Sequence, residues 1–218
     1  MMKKWLLLMV VAGCLAWAGT VSAEEASWMN EAAASVNLYL PGAGDFDLFE
    51  YGFGIEFQYR NWAYDPIGWA LSVGAASWEA NSGATDLGRI HKDFDGSATL
   101  VPVGASVLVN LLHLDDFNLL AEFGLRYVWM DAELDFTRVI PAGDEGSEEV
   151  PSTLTIDDSL LGVVALEGDY YLNDQFLLFG SLGYQHDLTR GEITTPTGNL
   201  RDNELCAFFL KLGGKLVF

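Results

Sequence analysis

Ser181, His186 and Asp187 lie close together in the chain and have the side-chain types of a nucleophile, a general base and an orienting acid. Together they could move an acyl group, provided the serine hydroxyl comes within hydrogen-bond reach of the imidazole. The surrounding stretch opposes that geometry. Over residues 175–188 apolar and polar positions alternate, with Phe176, Leu178, Leu182 and Tyr184 on one side and Ser181, Gly183, Gln185 and Asp187 on the other. In an extended strand His186 points away from Ser181 and Asp187, along with Tyr184, and reads as an interface residue. Of the other histidines, His91 falls in a long link and His113 at a short turn. Cys206 falls on the apolar side of its stretch, where packing explains it better than chemistry. The chain has no Cys/His cluster with metal-ligand spacing and no glycine-rich phosphate loop. The expectation is therefore no catalytic residue, no cofactor and no metal centre.

A second constellation is ionic. Glu56, Glu122, Glu167 and Asp169 occupy the polar phase of alternating stretches, and so do Arg60, Arg126, Lys211 and Lys215. Four acids and four bases at comparable depth would pair if that phase faces an enclosed interior, because an unpaired buried charge is costly. The expected result is a salt-bridged plug that leaves no wide pore, with Arg60 and Lys215 solvated near one mouth.

The elements that must position these charges are strands. Alternating stretches run over 33–40, 51–60, 67–79, 97–112, 117–136, 159–172, 175–188 and 204–218. In the second, Phe53, Ile55, Phe57 and Tyr59 alternate with Gly52, Gly54, Glu56, Gln58 and Arg60. In the fifth, Leu119, Ala121, Phe123, Leu125, Tyr127 and Trp129 alternate with residues that include Glu122, Gly124 and Arg126. The fourth is weaker, since both its faces hold apolar residues. None shows the spacing of three and four that a helix needs. Many exceed the usual ~5–6 residues of a globular strand and match the ~9–11 needed to cross a bilayer at a tilt. Short links ("NWAYDPI", "HLDD", "ND") alternate with long ones at 41–50, 80–96, 137–158 and 189–203. An even strand number with short turns at one end and long loops at the other predicts an all-β fold, an eight-stranded antiparallel up-and-down transmembrane β-barrel. Both ends of its wall fall on the short-turn, periplasmic side. Residues 24–218 form one domain, opened by a polar leader over 24–32.

Alternation alone does not say which face is outside, since a soluble lipocalin-like barrel alternates too. Side-chain size does. The polar phase carries Gly52, Gly54, Gly68, Ala70, Ser72, Gly74, Gly124, Ser181, Gly183 and Gly213. An eight-stranded interior has little room, whereas glycines on a solvated strand face only cost stability. Aromatics gather at both ends of the apolar phase: Tyr59, Trp69, Tyr170, Phe176 and Phe218 towards the short turns, Phe53, Trp129, Tyr184 and Phe208 towards the long loops. Two girdles around an aliphatic band suit a lipid-facing exterior. The last stretch, "FFLKLGGKLVF", places Phe208, Leu210, Leu212, Leu216 and Phe218 at alternate positions, with Gly214 interrupting the row. That row resembles the assembly signal of bacterial outer-membrane barrels.

On these residues the chain resembles the small eight-stranded outer-membrane barrels, the group that contains OmpX and the OmpA membrane domain, over nearly all of 33–218. The resemblance rests on architecture and the terminal row and carries no functional motif across. It implies a bacterial outer-membrane location, a charged and side-chain-filled lumen, and contact with outer-membrane lipid and lipopolysaccharide. It also implies insertion by the barrel-assembly machinery and a monomeric state. No peptidoglycan-binding domain follows the last stretch, so a stand-alone barrel is expected.

Composition narrows the partners. The chain has 218 residues, 50% apolar and 13% aromatic, with a formal net charge of −20. That charge excludes nucleic acid, whose phosphates need Lys and Arg. Residues 1–23 read as a secretory signal: Lys3 and Lys4, an uncharged apolar run, then Val21, Ser22 and Ala23 before Glu24, with cleavage between Ala23 and Glu24. Two rival readings are an uncleaved anchor, since 5–23 approaches the ~20 residues of a spanning helix, and lipoprotein processing at Cys14. The apolar run continuing past Cys14 suits an ordinary signal core better. Removal of 1–23 takes Lys3 and Lys4 from the 11 basic residues and none from the 31 acidic ones, leaving 9 and 31. Cys206 is then the one cysteine. Residues 141–158 contain Asp144, Glu145, Glu148, Glu149, Asp157 and Asp158 with no Lys or Arg. They could take divalent cations and bridge to lipopolysaccharide phosphates, or stand as a solvated acidic loop; their spacing fits no EF-hand.

Three function classes follow: a structural or surface-interaction barrel, a narrow channel or carrier for small molecules, and a lipid A-modifying enzyme. Lumen charge weighs against apolar cargo, and the divergence of His186 from Ser181 weighs against an enzyme. The first class is the expectation.

Overall fold

Long runs of period-two alternation give long antiparallel strands. The computed structural model describes residues 29–41, 49–64, 66–80, 91–141, 147–189, 191–195, 198–203 and 205–218. The expected signal, its Ala23/Glu24 cleavage pair and Cys14 lie outside the described residues. The strands are β1 Met29–Pro41, β2 Phe49–Tyr64, β3 Ile67–Ala80, β4 His91–Leu114, β5 Phe117–Pro141, β6 Ser147–Ile156, β7 Ser159–Tyr171, β8 Phe176–Asp187, β9 Gly191–Thr195, β10 Gly198–Asn203 and β11 Ala207–Val217.

Eight of them close a barrel in the order β1–β2–β3–β4–β5–β7–β8–β11 and back to β1, every neighbour antiparallel. The seam is complete: β1 pairs with β11 from Glu31↔Val217 to Pro41↔Ala207. Closure leaves no unpaired edge in the wall, the condition for a sheet to stand in hydrocarbon. Among the described residues no helix is long and apolar enough to cross a membrane. The turn between β7 and β8 is held by Asn173, whose Oδ1 accepts from the Gln175 and Phe176 amides at 2.9 and 3.0 Å.

The remaining strands rise above the wall on the long-loop side. The first half of β5 pairs with β7 and its last part with β6. The chain passes from β6 to β7 at Asp158, whose carboxylate accepts from the Tyr127 hydroxyl and the Met130 amide, both at 3.0 Å. The β9–β10 hairpin, inserted between β8 and β11, joins β6 at Thr155 and Ile156. Two links expected as loops, 137–158 and 189–203, are thus largely strand. Above the bilayer neither face of a sheet must meet hydrocarbon, so alternation lapses although pairing continues.

Inside the wall the alternation is sharp. In β8 Leu182 is 64% exposed while its neighbour Ser181 is 1% exposed. The exposed side is apolar throughout the band, with Val36, Phe57, Val107, Phe123, Leu166 and Leu212 all outward. β4 looks two-faced in sequence because its inner face carries Ala98, Leu100 and Leu108, all buried in the lumen. β1 begins earlier than expected, at Met29, which draws Glu31 out of the supposed polar leader and into the inner face opposite Arg60.

Candidate functional site

The charged side chains enclosed by the wall form two decks, each resting on a phenylalanine ring. In the deck nearer the short turns, Arg60 Nη1 and Nη2 donate to the two carboxylate oxygens of Glu167 at 2.5 and 2.8 Å. Lys215 Nζ donates to Glu167 Oε1 at 2.6 Å and to both oxygens of Asp169 at 2.6 and 2.7 Å. Both cations lie over the Phe179 ring, at 5.5 and 5.1 Å from its centroid. Glu31 completes this deck. Its Oε1 accepts from Trp62 Nε1 at 2.8 Å, and its Oε2 lies 3.8 Å from Lys215 Nζ.

The second deck sits deeper in the barrel. Lys211 Nζ donates to Glu56 Oε1 at 2.7 Å. Arg126 Nη2 lies 3.3 Å from Glu56 Oε2 and 3.6 Å from Glu122 Oε1. Both cations lie against the Phe209 ring, at 5.5 and 5.1 Å. Gln58 joins the decks: its amide nitrogen donates to Glu56 Oε1 at 2.5 Å while its oxygen accepts from Arg60 Nε at 2.8 Å.

The structure therefore brings the eight expected charges together and adds Glu31, which parity misses because β1 starts at Met29, ahead of the alternation that begins at residue 33. The expectation that Arg60 and Lys215 are solvated does not hold, since they are 0% and 2% exposed. The wall continues past them to the Met29↔Trp62 pair of β1 and β2, where Asn61 Nδ2 donates to Asn30 Oδ1 at 2.8 Å, and Asn118 Nδ2 donates to the Tyr171 hydroxyl at 2.7 Å.

Above the decks the lumen turns largely apolar, with Gln185 and Asp187 as inward polar side chains among the wall residues. Tyr39, Phe49, Ala98, Trp78, Leu161, Val163, Leu205 and Phe209 belong to one buried apolar cluster. Its rings form a chain, with centroid separations of 6.3 Å for Phe209–Tyr39, 5.7 Å for Tyr39–Trp78 and 5.5 Å for Trp78–Phe49. The sequence signal for this layer is parity combined with size. Trp78, Phe209 and Phe179 share the inner phase, and each faces an inner glycine on the neighbouring strand: Gly52, Gly183 and Gly213. A Cβ at any of those glycines would run into the facing ring. The small residues thus do more than fit a narrow lumen; they make room for particular aromatics.

Outside the lumen the other candidates separate. Ser181 and Asp187 point inward and His186 outward. Asp187 accepts from Ser159 Oγ at 2.9 Å and from the Thr189 amide at 2.9 Å, while His186 Nδ1 lies 2.9 Å from Cys206 Sγ and its ring stacks on Tyr184. His113 Nδ1 contacts Asn118 Oδ1 at 2.5 Å; the His91 side chain lies outside the described residues. Among the described residues no group of three or more His, Cys, Asp or Glu side chains is placed to hold a metal ion. Phe208, Leu210, Leu212, Leu216 and Phe218 all lie on the outward face of the last strand. Of the acidic stretch, Asp157 is exposed and Asp158 clamps β5. The side chains of Asp144, Glu145, Glu148 and Glu149 lie outside the described residues.

The sequence matches no family model and no curated protein. In fold it is similar to a major outer membrane protein from Thermus thermophilus, at a TM-score of 0.55 and 16% identity, covering 88% of this chain and 100% of that one. It is also similar to the outer membrane protein AlkL, at a TM-score of 0.50 and 16% identity, covering 91% of this chain and 95% of that one. These likenesses establish the fold as that of the small outer-membrane barrels. The apolar exterior and closed backbone establish the environment: this is a bacterial outer-membrane barrel.

Proposed function

We propose that the protein is a closed outer-membrane barrel with a structural or surface-interaction role, carried out by what it presents above the membrane and not by passage through its lumen. The observation that supports this is a lumen filled at every level, by two ion-paired decks and an aromatic layer. On this reading the protein is not an enzyme, since Ser181, His186 and Asp187 do not converge. Outer-membrane lipid and lipopolysaccharide surround a monomer, and the outward row of β11 is what the barrel-assembly machinery reads. Divalent cations would be partners only at the acidic stretch over 141–158.

One observation favours the second reading, a narrow carrier for small apolar molecules. Lumen charge repels apolar cargo at the two decks and not at the aromatic layer above them. Reconstitution tests both readings. The closed barrel gives no conductance steps in planar bilayers and no faster entry of an apolar fluorophore into proteoliposomes than into empty ones. Large steady channels would sink it, and accelerated entry of the fluorophore would shift the role to the carrier.

A further inference from the structure

Five buried polar atoms of the deeper deck make no hydrogen bond among the described residues: Arg126 Nε, Arg126 Nη1, Glu56 Oε2, Glu122 Oε2 and Ser181 Oγ. They come from β2, β5 and β8 and belong to one neighbourhood. Arg126 lies within 3.6 Å of both glutamates, Lys211 within 3.9 Å of both, and Ser181 is the register partner of Lys211. The set mixes N–H donors with carboxylate acceptors and a hydroxyl that can be either. Water satisfies such a set, because each molecule donates and accepts and finds several polar partners here. The deck nearer the short turns leaves Glu31 Oε2 without a hydrogen bond but no cationic donor, for there Arg60 and Lys215 spend their donors on Glu167, Asp169 and Gln58.

Directly above this deck the chemistry changes within one side chain. Phe209 lies against Arg126 and Lys211 with one face and continues upward into Tyr39, Trp78 and Phe49. The Tyr39 hydroxyl is engaged by Asn37 Nδ2 at 3.2 Å. An ion arriving with its water at a charged, hydrated deck meets groups that can re-pair with it. At the aromatic layer it meets rings, the Tyr39 hydroxyl and one donor unpaired among the described residues, Trp78 Nε1, too few to replace its hydration shell, and hydrophobic constrictions close pores by excluding water.

We infer that the deeper deck is a hydrated chamber, and that the aromatic layer of Phe209, Tyr39, Trp78 and Phe49, not the salt bridges, shuts the barrel to ions. The barrel is then a latent small-ion path with a dry seal. Among the described residues its lumen carries six acids against four bases, Glu31, Glu56, Glu122, Glu167, Asp169 and Asp187 against Arg60, Arg126, Lys211 and Lys215, so an opened path favours cations. The inference rests on the closed-barrel reading.

The experiment compares three full-length proteins in planar bilayers. Wild type gives no steps. Trp78→Ala/Phe209→Ala gives discrete, cation-preferring steps, while Glu56→Gln/Lys211→Met stays closed. Conductance from the charge variant, or silence from a folded aromatic variant, overturns the inference. Conductance from wild type overturns the closed-barrel reading beneath it. A second arm needs no variant: in wild type in micelles, the Arg126 Nε proton shows magnetisation exchange with water. Its absence removes the chamber even if the aromatic variant fails to fold.

Discussion

Glu167 ties both cations of its deck together, because it accepts from Arg60 through both oxygens and from Lys215 as well. Glu167→Gln leaves two buried cations sharing Asp169 and more distant acids, and breaking a buried pair costs about 3–5 kcal/mol. Glu31 is the fifth acid in two decks that hold four bases, and among the described residues its carboxylate's one hydrogen bond comes from Trp62 Nε1, which a glutamine oxygen can also accept. Glu31→Gln should therefore change stability by no more than about 1 kcal/mol. Reversible urea unfolding from lipid vesicles measures both; equal losses would show that this pairing does not set the energetics. The charges themselves were legible in the sequence by parity. Their depth was not, because depth depends on where β1 and β2 end, and strand ends carry weak signals.

At the scale of the strand, β11 shows how one element serves two solvents. Its inner phase carries Phe209, Lys211 and Lys215, and its outer phase Phe208, Leu210, Leu212 and Leu216. Leu212 lies in the middle of the band, so Leu212→Arg should cost about 2–4 kcal/mol. His186 lies outward near the long-loop rim, and His186→Arg should cost only about 0–1 kcal/mol. Unfolding from vesicles of one lipid gives the comparison, and a similar penalty at both sites would mean that the hydrocarbon boundary is misplaced. The eight wall strands are readable in the sequence because lipid on one side and a narrow lumen on the other enforce alternation. β6, β9 and β10 escape notice because nothing above the membrane enforces it.

The molecule as a whole is inverted relative to a soluble barrel, and its tryptophans report the inversion. Trp129 and Trp69 lie on the outer phase, packed against Tyr127 and Tyr59, while Trp78 is 1% exposed in the lumen. In single-tryptophan variants, lipids brominated on their acyl chains should quench Trp129 and Trp69 and spare Trp78. Strong quenching of Trp78 would place the aromatic layer outside the wall and undo both the seal and the closed lumen.

The sequence alone determined the strand class, the wall's strand number, the inside-out orientation and the identity of eight enclosed charges. Each of these follows from a repeating local constraint, the side on which a residue falls. Only the tertiary structure decided which acid meets which base, that Glu31 joins them, and that aromatic rings close the lumen above. Those outcomes depend on the stagger between strands far apart in the chain, such as β2 and β7 or β3 and β1. Parity says which way a side chain points; only the closed sheet says what it meets there.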